Sequence, residues 1–458
     1  MAKIAQKKLF TWKQVDAASD LNRLRLVLDA LPDEEFVRFL EQRRDRGRDD
    51  YPIRPTWNAL IAGIVFQHPN AASLLRELWR NAELRQLCGF EPDKGAAAVP
   101  SEDAFGRFLK LVCDQRERLL GIFHRLLDEL AKELPELGRK MAGDSKAIPS
   151  FGRPVRDEEK EREPDGRRDT DADWGAKTYK GVHKDGSAWE KVVKWFGYKL
   201  HLLVDSVHEL PLAFRLTKAS AGDAPELLPL VDHLAEHHPA VAERWEKPGA
   251  ECAGDKGYDS KENNAGLYDD HNITPVIDKR TLWKDGEKTK PLVADRADHF
   301  VYDEGGRVYC VCPTTSEQRD LLFVGFERDR GTLKYRCPAA ACGLTCAGRQ
   351  ECERQAAVGS FGRVVRVPLE LDRRIFTPIA RPTVKWKKAY NRRSSIVRVN
   401  SRIDQVFQFE HHTIRGQAKM EARVTLSLIV MLAMALGRIR ANQADLMRSL
   451  TAPARRAS

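Results

Sequence analysis

Apolar residues recur at steps of three and four through most of the first 140 positions, the spacing of one buried stripe on an α-helix. LNRLRLVLDAL and EEFVRFLEQRR follow it, parted by Pro32. So do TWNALIAGIVFQ, AASLLRELWRNAELRQLCGF and VPSEDAFGRFLKLVCDQRERLLGIFHRLLDELAKEL. Ser101 stands where an N-cap belongs, with Glu102 and Asp103 in the first turn, and Gly89 is a helix stop. Residues 1–138 therefore read as an all-α N-terminal domain.

From Lys140 the runs shorten. KMAGDSKAI ends at Pro149 and reads as a strand carrying Asp144. Residues 156–173, RDEEKEREPDGRRDTDAD, are almost wholly charged and read as a flexible loop. Tyr198–Val204 and Leu210–Thr217 read as a hairpin turning through Asp205 and Ser206. DAPELLPLVDHLAEHH is helical, GAECAGDKGYDS a strand ending at Asp255, KENNAGLYDDH a short helix and ITPVID a strand. A hairpin followed by alternating helix and strand predicts an α/β fold, a mixed sheet flanked by helices, over 139–279. Residues 280–372 form a Cys-rich insertion, 373–440 supply basic and apolar helices completing the sheet domain, and 441–458 read as a disordered tail.

The helix expected around YNRRSSIVRVNSR, Tyr390 to Arg402, has two stripes. Ile396, Val399, Ile403, Val406 and Phe407 form the apolar one. Arg393, Val397, Asn400 and Asp404 form the other, polar except for Val397. Charge sharpens this picture. The chain of 458 residues carries a net +10, and Arg373 to Arg402 holds ten Lys or Arg with no Asp or Glu, interleaved with Trp386 and Tyr390. Such a stretch suits phosphate contacts and base stacking, so Lys387, Lys388, Tyr390, Arg392, Arg393, Arg398 and Arg402 are the candidate DNA-binding residues. MAKIAQKKLFTW shows no apolar core of a secretory signal. The fourteen-residue run Val424–Gly437 is too short to span a bilayer and predicts a buried helix, so no membrane partner is expected. Nine cysteines without a signal point to a reducing cytoplasm.

Candidate chemistry lies in three places. Gly143-Asp144 and Gly254-Asp255 put two carboxylates at or near strand ends, where α/β sheets gather site residues. Two carboxylates on adjacent strands can hold Mg²⁺ or Mn²⁺ for phosphodiester chemistry. Cys310, Cys312, Cys337, Cys342, Cys346 and Cys352 cluster in the insertion and offer thiolates for a structural Zn²⁺, or free thiols, with the ligating four undecided. Cys88, Cys113 and Cys252 read as core. The pairs His237-His238 and His411-His412 have no carboxylate or cysteine at ligand spacing nearby and read as surface or capping residues.

Taken in order, several blocks resemble bacterial insertion-sequence transposases of the DDE type. They run from YPIRPTWNALIAGIVFQHPNAASLLRELWRNAELRQLCGF and VPSEDAFGRFLK, through MAGDSKAIPS, DADWGAKTY and WFGYKLHLLVDSVHELPLAFRLTKASAGDAPELLPLVDHL, to AGDKGYDS, YNRRSSIVRVNSR and FEHHTIRG. The resemblance implies an RNase H-like catalytic domain in the mixed sheet and a helical domain that binds the element's ends. It makes Asp144 and Asp255 the catalytic, metal-binding acids, and Tyr390 and Arg393 part of the family's Y-x2-R-x3-E-x6-K pattern. The third carboxylate then falls at Val397 and the lysine at Asp404. The expected partners are double-stranded DNA, as terminal inverted repeats and target, and a second copy in a homodimer on DNA at the nucleoid. The expected activity is cutting and joining at element ends. The alternative is a catalytically impaired relic that only binds DNA.

Overall fold

The computed structural model describes residues 20–44, 51–154, 168–293, 299–355 and 362–455. Seven helices come first: α1 (Leu21–Ala30), α2 (Glu34–Arg44), α3 (Ile53–Val65), α4 (Ala71–Arg80), α5 (Ala82–Cys88), α6 (Glu102–Cys113) and α7 (Arg116–Glu133). Their ends follow from single side chains. Asn70, Asn81 and Ser101 each accept a backbone N–H at the start of α4, α5 and α6. Gly89 ends α5 at φ 93°, a left-handed conformation that glycine adopts at little cost.

The sheet uses β1 (Lys140–Pro149), β2 (Asp173–Val182), β3 (Ala188–Asp205), β4 (Leu210–Lys218), β5 (Glu251–Gly254) and β6 (Thr274–Ile277). β1 lies between β3, antiparallel, and β5, parallel; β6 adds in parallel to β5, and β4 pairs antiparallel with β3. This is the mixed sheet the sequence predicts. Asp205 holds the β3–β4 turn, accepting from the backbone N–H groups of Gly138, Val207 and His208. Helices α8 (Leu227–His237), α9 (Pro239–Ala242) and α10 (Lys261–Asp269) fill the crossovers.

Two short sheets make up most of the insertion. One pairs β7 (Thr289–Pro291), β8 (Phe300–Asp303), β9 (Val308–Val311) and β10 (Gln318–Asp320); the other pairs β11 (Leu322–Glu327), β12 (Thr332–Arg336) and β13 (Val364–Pro368). Between β12 and β13 lie α11 (Pro338–Cys342) and α12 (Arg349–Gln355). A separate apolar core built on Phe300, Tyr302, Val308 and Leu333 extends to Ile375 and Phe376, past the expected boundary at 372.

The chain returns to the sheet through α13 (Val384–Asn391), α14 (Ser394–Gln405) and α15 (Gln417–Arg440). YNRRSSIVRVNSR thus spans a joint between two helices rather than starting one. Arg392 and Arg393 keep helical dihedrals there, so the stripe survives, and Ile396, Val399, Ile403 and Phe407 are buried as predicted. α15 is long and apolar enough to cross a membrane, yet 89% of its apolar window is buried inside the protein. It packs against α1, α7 and β4, so one continuous core runs from the first helices through the sheet.

Three expectations need correction. β3 begins at Ala188, ten residues before Tyr198, and its first half pairs with β2 as a two-stranded ribbon. The charged loop ends in order: Asp169 is buried and accepts from Ser150 Oγ, the Tyr198 hydroxyl and the Gly416 N–H. The remainder of that loop, 155–167, lies outside the described residues. The segment read as a tail packs down as far as Arg455. Leu450 is buried, and the buried Arg23 and Arg438 donate to Leu450 O and Ser449 O, since buried guanidinium groups need acceptors; Gln443 also donates to Arg455 O.

Candidate active site

Register brings the two predicted acids together. Ala142 of β1 pairs with Ala253 of β5 in parallel, and Asp144 and Asp255 each lie two residues further on. Neighbouring strands run ~4.8 Å apart, and residues two apart share a face. Asp255 sits at the end of β5, where its Oδ1 accepts the Gly257 N–H at 2.8 Å. Asp144 Oδ1 accepts the Ser145 N–H at 2.9 Å. Burial first, then the charge of Asp255, lifts the Asp144 carboxyl to about 6; Lys177 and Arg393 pull it part of the way back.

A third acid belongs to this place. A Cβ at Gly257 would lie 2.8 Å from Asp255 Oδ1 and 3.2 Å from Asp223 Oδ2. Only glycine leaves room there, and Asp223 therefore flanks Asp255. Lys199 Nζ, 3.0 Å from Asp223 Oδ1, partly balances it. The Tyr258 ring is 1% exposed beneath the group, and the charges of Asp144, Asp223 and Asp255 all raise its hydroxyl pKa after burial does. Sequence reasoning passes over Asp223, although Gly222-Asp223 repeats the Gly-Asp pair of the other two just beyond the end of β4.

The helix α14 lies over β1 and delivers a different set from the one the family pattern calls for. Val397 is 51% exposed and offers no oxygen. One turn on, Asn400 Nδ2 makes a long contact of 3.4 Å to Asp144 Oδ2, while Asn400 Oδ1 is buried without a partner. Asp404, at the lysine position, is ion-paired with Lys146 of β1 and is not free to join Asp144.

The candidate DNA-binding residues divide by their partners. Lys387 and Lys388 are exposed. Arg393 lies 5.7 Å over the Tyr390 ring, which stacks on Trp386 at 5.0 Å. Arg392 pairs with Glu251 at 2.5 Å, Arg398 with Glu209 at 2.7 Å, and Arg402 also with Glu209. Glu209 is 4% exposed and its carboxylate is held by these guanidinium groups, so Arg398 and Arg402 serve the fold. The ribbon, by contrast, has no counterpart in the sequence-based expectation: Trp174, Tyr179, Trp189, Lys177, Lys191 and Lys194 are all exposed on it.

In the insertion the thiols of Cys310, Cys337, Cys346 and Cys352 are neighbours. After burial, the charges of the other three are among those that raise Cys310 to about 12. Cys312 is instead lowered to about 7, mainly by hydrogen bonds from Thr315 and Thr314, and Cys342 is exposed. No three of these sulphurs lie within 4.8 Å of one another among the described residues. Cys88 and Cys252 are buried and Cys113 half-buried, as expected. The reading of both histidine pairs as surface holds only in part. His238 is 1% exposed and bonded to Asp128, which sequence spacing cannot reveal at 110 residues' separation. His412 Nδ1 accepts the Ile414 N–H, a capping role.

Comparison with known proteins adds to the geometry. A family model described as a transposase DDE domain matches residues 144–433. A curated relative, named as a putative transposase for insertion sequence element IS402 from Burkholderia cepacia, is 37% identical over 84 residues. The match covers 18% of this chain and 38% of the relative.

Proposed function

The chain belongs to the transposase DDE domain family, and on that premise we propose that it cuts phosphodiester bonds at the ends of an insertion sequence and joins them to target DNA. The observation that carries this reading is the Asp144–Asp255 pair, side by side on β1 and β5, with Asp144 held up by burial and by its neighbour. Two such carboxylates repel each other until a cation lies between them.

The donors fit a hard divalent cation, Mg²⁺ or Mn²⁺. They are all oxygens, from Asp144 and Asp255, and the unpartnered Asn400 Oδ1 is a further one on the same side. A bound ion would supply an activated oxygen nucleophile and stabilise the departing one. The protein's residues do the remainder. Arg393 and Lys177 set positive charge beside Asp144, where a scissile phosphate must approach. Lys387 and Lys388, exposed on α13, suit the flanking phosphates. Double-stranded element ends and target DNA are the substrates on this reading, and a second copy completes the complex on paired ends.

Val397 favours a second reading, a chain that binds element ends and cuts them poorly, because the third carboxylate has no oxygen substitute at that position. Metal binding separates the parts of the argument. Titrating Mn²⁺ into the wild type, Asp144→Asn and Asp255→Asn should show binding lost in both variants, with DNA binding retained and residual cleavage abolished. Variants that bind Mn²⁺ and cut as well as the wild type would overturn the site.

A further inference from the structure

Away from the carboxylates, four histidines meet where the helical region touches the sheet domain. His124 comes from α7; His233 and His237 stand one turn apart on α8; His238 ends that helix. The His233 and His237 rings are 4.0 Å apart between centroids, and His124 stacks on His237 at 4.6 Å. One ligand nitrogen from each of His124, His233 and His237 falls within 4.8 Å of the others.

Hydrogen bonds fix which nitrogen carries the proton. His238 Nδ1 is 2.6 Å from Asp128 Oδ1, and a carboxylate only accepts, so His238 donates from Nδ1. Its Nε2 must then accept in the neutral ring, and it does so from His124 Nδ1 at 2.9 Å. That leaves His124 Nε2 with a free lone pair. His237 repeats the arrangement, because its Nδ1 donates to His233 O at 3.0 Å and frees its Nε2. A proton on each Nδ1, held by an oxygen or by another ring, is how metal-ligating imidazoles are oriented.

We propose that His124, His233 and His237 form a binding site for a divalent transition-metal ion of the zinc class, with His238 and Asp128 orienting His124 from behind. Three imidazole nitrogens suit Zn²⁺, Co²⁺ or Ni²⁺ and not Mg²⁺, so the site is distinct from the carboxylate pair in chemistry as well as place. Around a tetrahedral zinc the nitrogens sit ~3.3 Å apart. Binding would draw the three nitrogens closer than their present span of up to 4.8 Å, with His237 at the exposed rim of the cluster. The fourth position opens to solvent. A bound ion would clamp α7 to α8, fixing the helical region on the sheet at a contact where both supply ligands.

The test uses the full chain without a histidine tag, stripped with chelator and titrated with Zn²⁺ and with Co²⁺. Wild type is compared with His237→Ala, whose exposed position spares the core, and with Asp128→Asn, which removes no ligand. Replacing all six insertion cysteines, Cys310, Cys312, Cys337, Cys342, Cys346 and Cys352, by serine in each background removes the insertion's thiols as competitors. The account predicts one equivalent bound in the cysteine-substituted chain, weak cobalt bands without thiolate charge transfer, and a Tm rise with zinc. His237→Ala should lose that equivalent and the Tm rise, and Asp128→Asn should bind at least tenfold more weakly. Equal stoichiometry and equal Tm response with and without His237 would overturn the proposal and leave a packed cluster of neutral rings. So would zinc binding that disappears entirely with the cysteines.

Discussion

Residue 397 is where the family pattern and this chain part. The side chain is half-exposed, on the helix face that carries Arg393 and Asn400 over Asp144. Asp404 does not replace it. It lies two turns, ~10.5 Å, further along the axis and is bound to Lys146. The lysine expected at 404 has in effect moved across the contact to β1. Asp223 approaches from the opposite side, beside Asp255. If its oxygen helps hold a cation in a chain lacking the third acid, Asp223→Asn should weaken Mn²⁺ binding severalfold in the wild type and by less in Val397→Glu. Equal weakening in both backgrounds would assign Asp223 to the fold alone. The Asp144 carboxyl gives a pH prediction. Its folded value, about 6, exceeds the ordinary 3.8. The metal-free native state therefore holds a proton that the unfolded chain has released, and stability falls as pH rises through that window. In chelator, Asp144→Asn should raise the Tm by about 1–3 °C at pH 7 and by nothing at pH 3.5. A variant less stable than wild type at pH 7 would contradict the assigned shift. Asp255 is legible from its place at a strand end and Asp144 from the Gly-Asp pair it shares with Asp255, although Asp144 lies in the middle of β1 and not at its end. Asp223 carries the same Gly-Asp signal but lies in a loop beyond β4, and only the tertiary meeting at Gly257 joins it to the other two.

At the scale of elements, the sequence shows what has one buried face. The α14 stripe and the β3–β4 hairpin are readable because period 3.6 or a tight turn marks them. The β2–β3 ribbon escapes such a reading because both its faces are exposed, so no alternation sets its polar side apart. One of its lysines, Lys177, is close enough to the site to lower Asp144. Replacing Lys177, Lys191 and Lys194 together by alanine should weaken binding to duplex DNA and flatten its salt slope by about 0.9 for each phosphate no longer neutralised. An unchanged slope would remove the ribbon from the DNA path. The arginines of α14 should behave otherwise. Arg402→Ala strands the buried Glu209 with fewer partners and should cost about 1–3 kcal/mol of stability, read by denaturant unfolding. Lys387→Ala/Lys388→Ala should leave stability within ~0.5 kcal/mol while weakening DNA binding.

Over the whole molecule, α15 explains why the parts hold together. Apolar on every side, it is covered by the first helices on one flank and by the sheet on the other, giving them a common core. Its depth in that core is predictable from its composition; its neighbours are not, since they lie hundreds of residues away in sequence. The order of segment 441–455 is equally hidden, because it depends on Arg23 and Arg438 finding backbone acceptors there. Under the proposed function, the carboxylate site is assembled and residue 397 limits it. The most direct test is cleavage of a short duplex bearing the element's own terminus, with wild type beside Val397→Glu, in Mg²⁺ and in Mn²⁺. The account predicts at least a hundredfold gain in the variant, abolished when Asp144→Asn is added. Equal rates in wild type and Val397→Glu would contradict it.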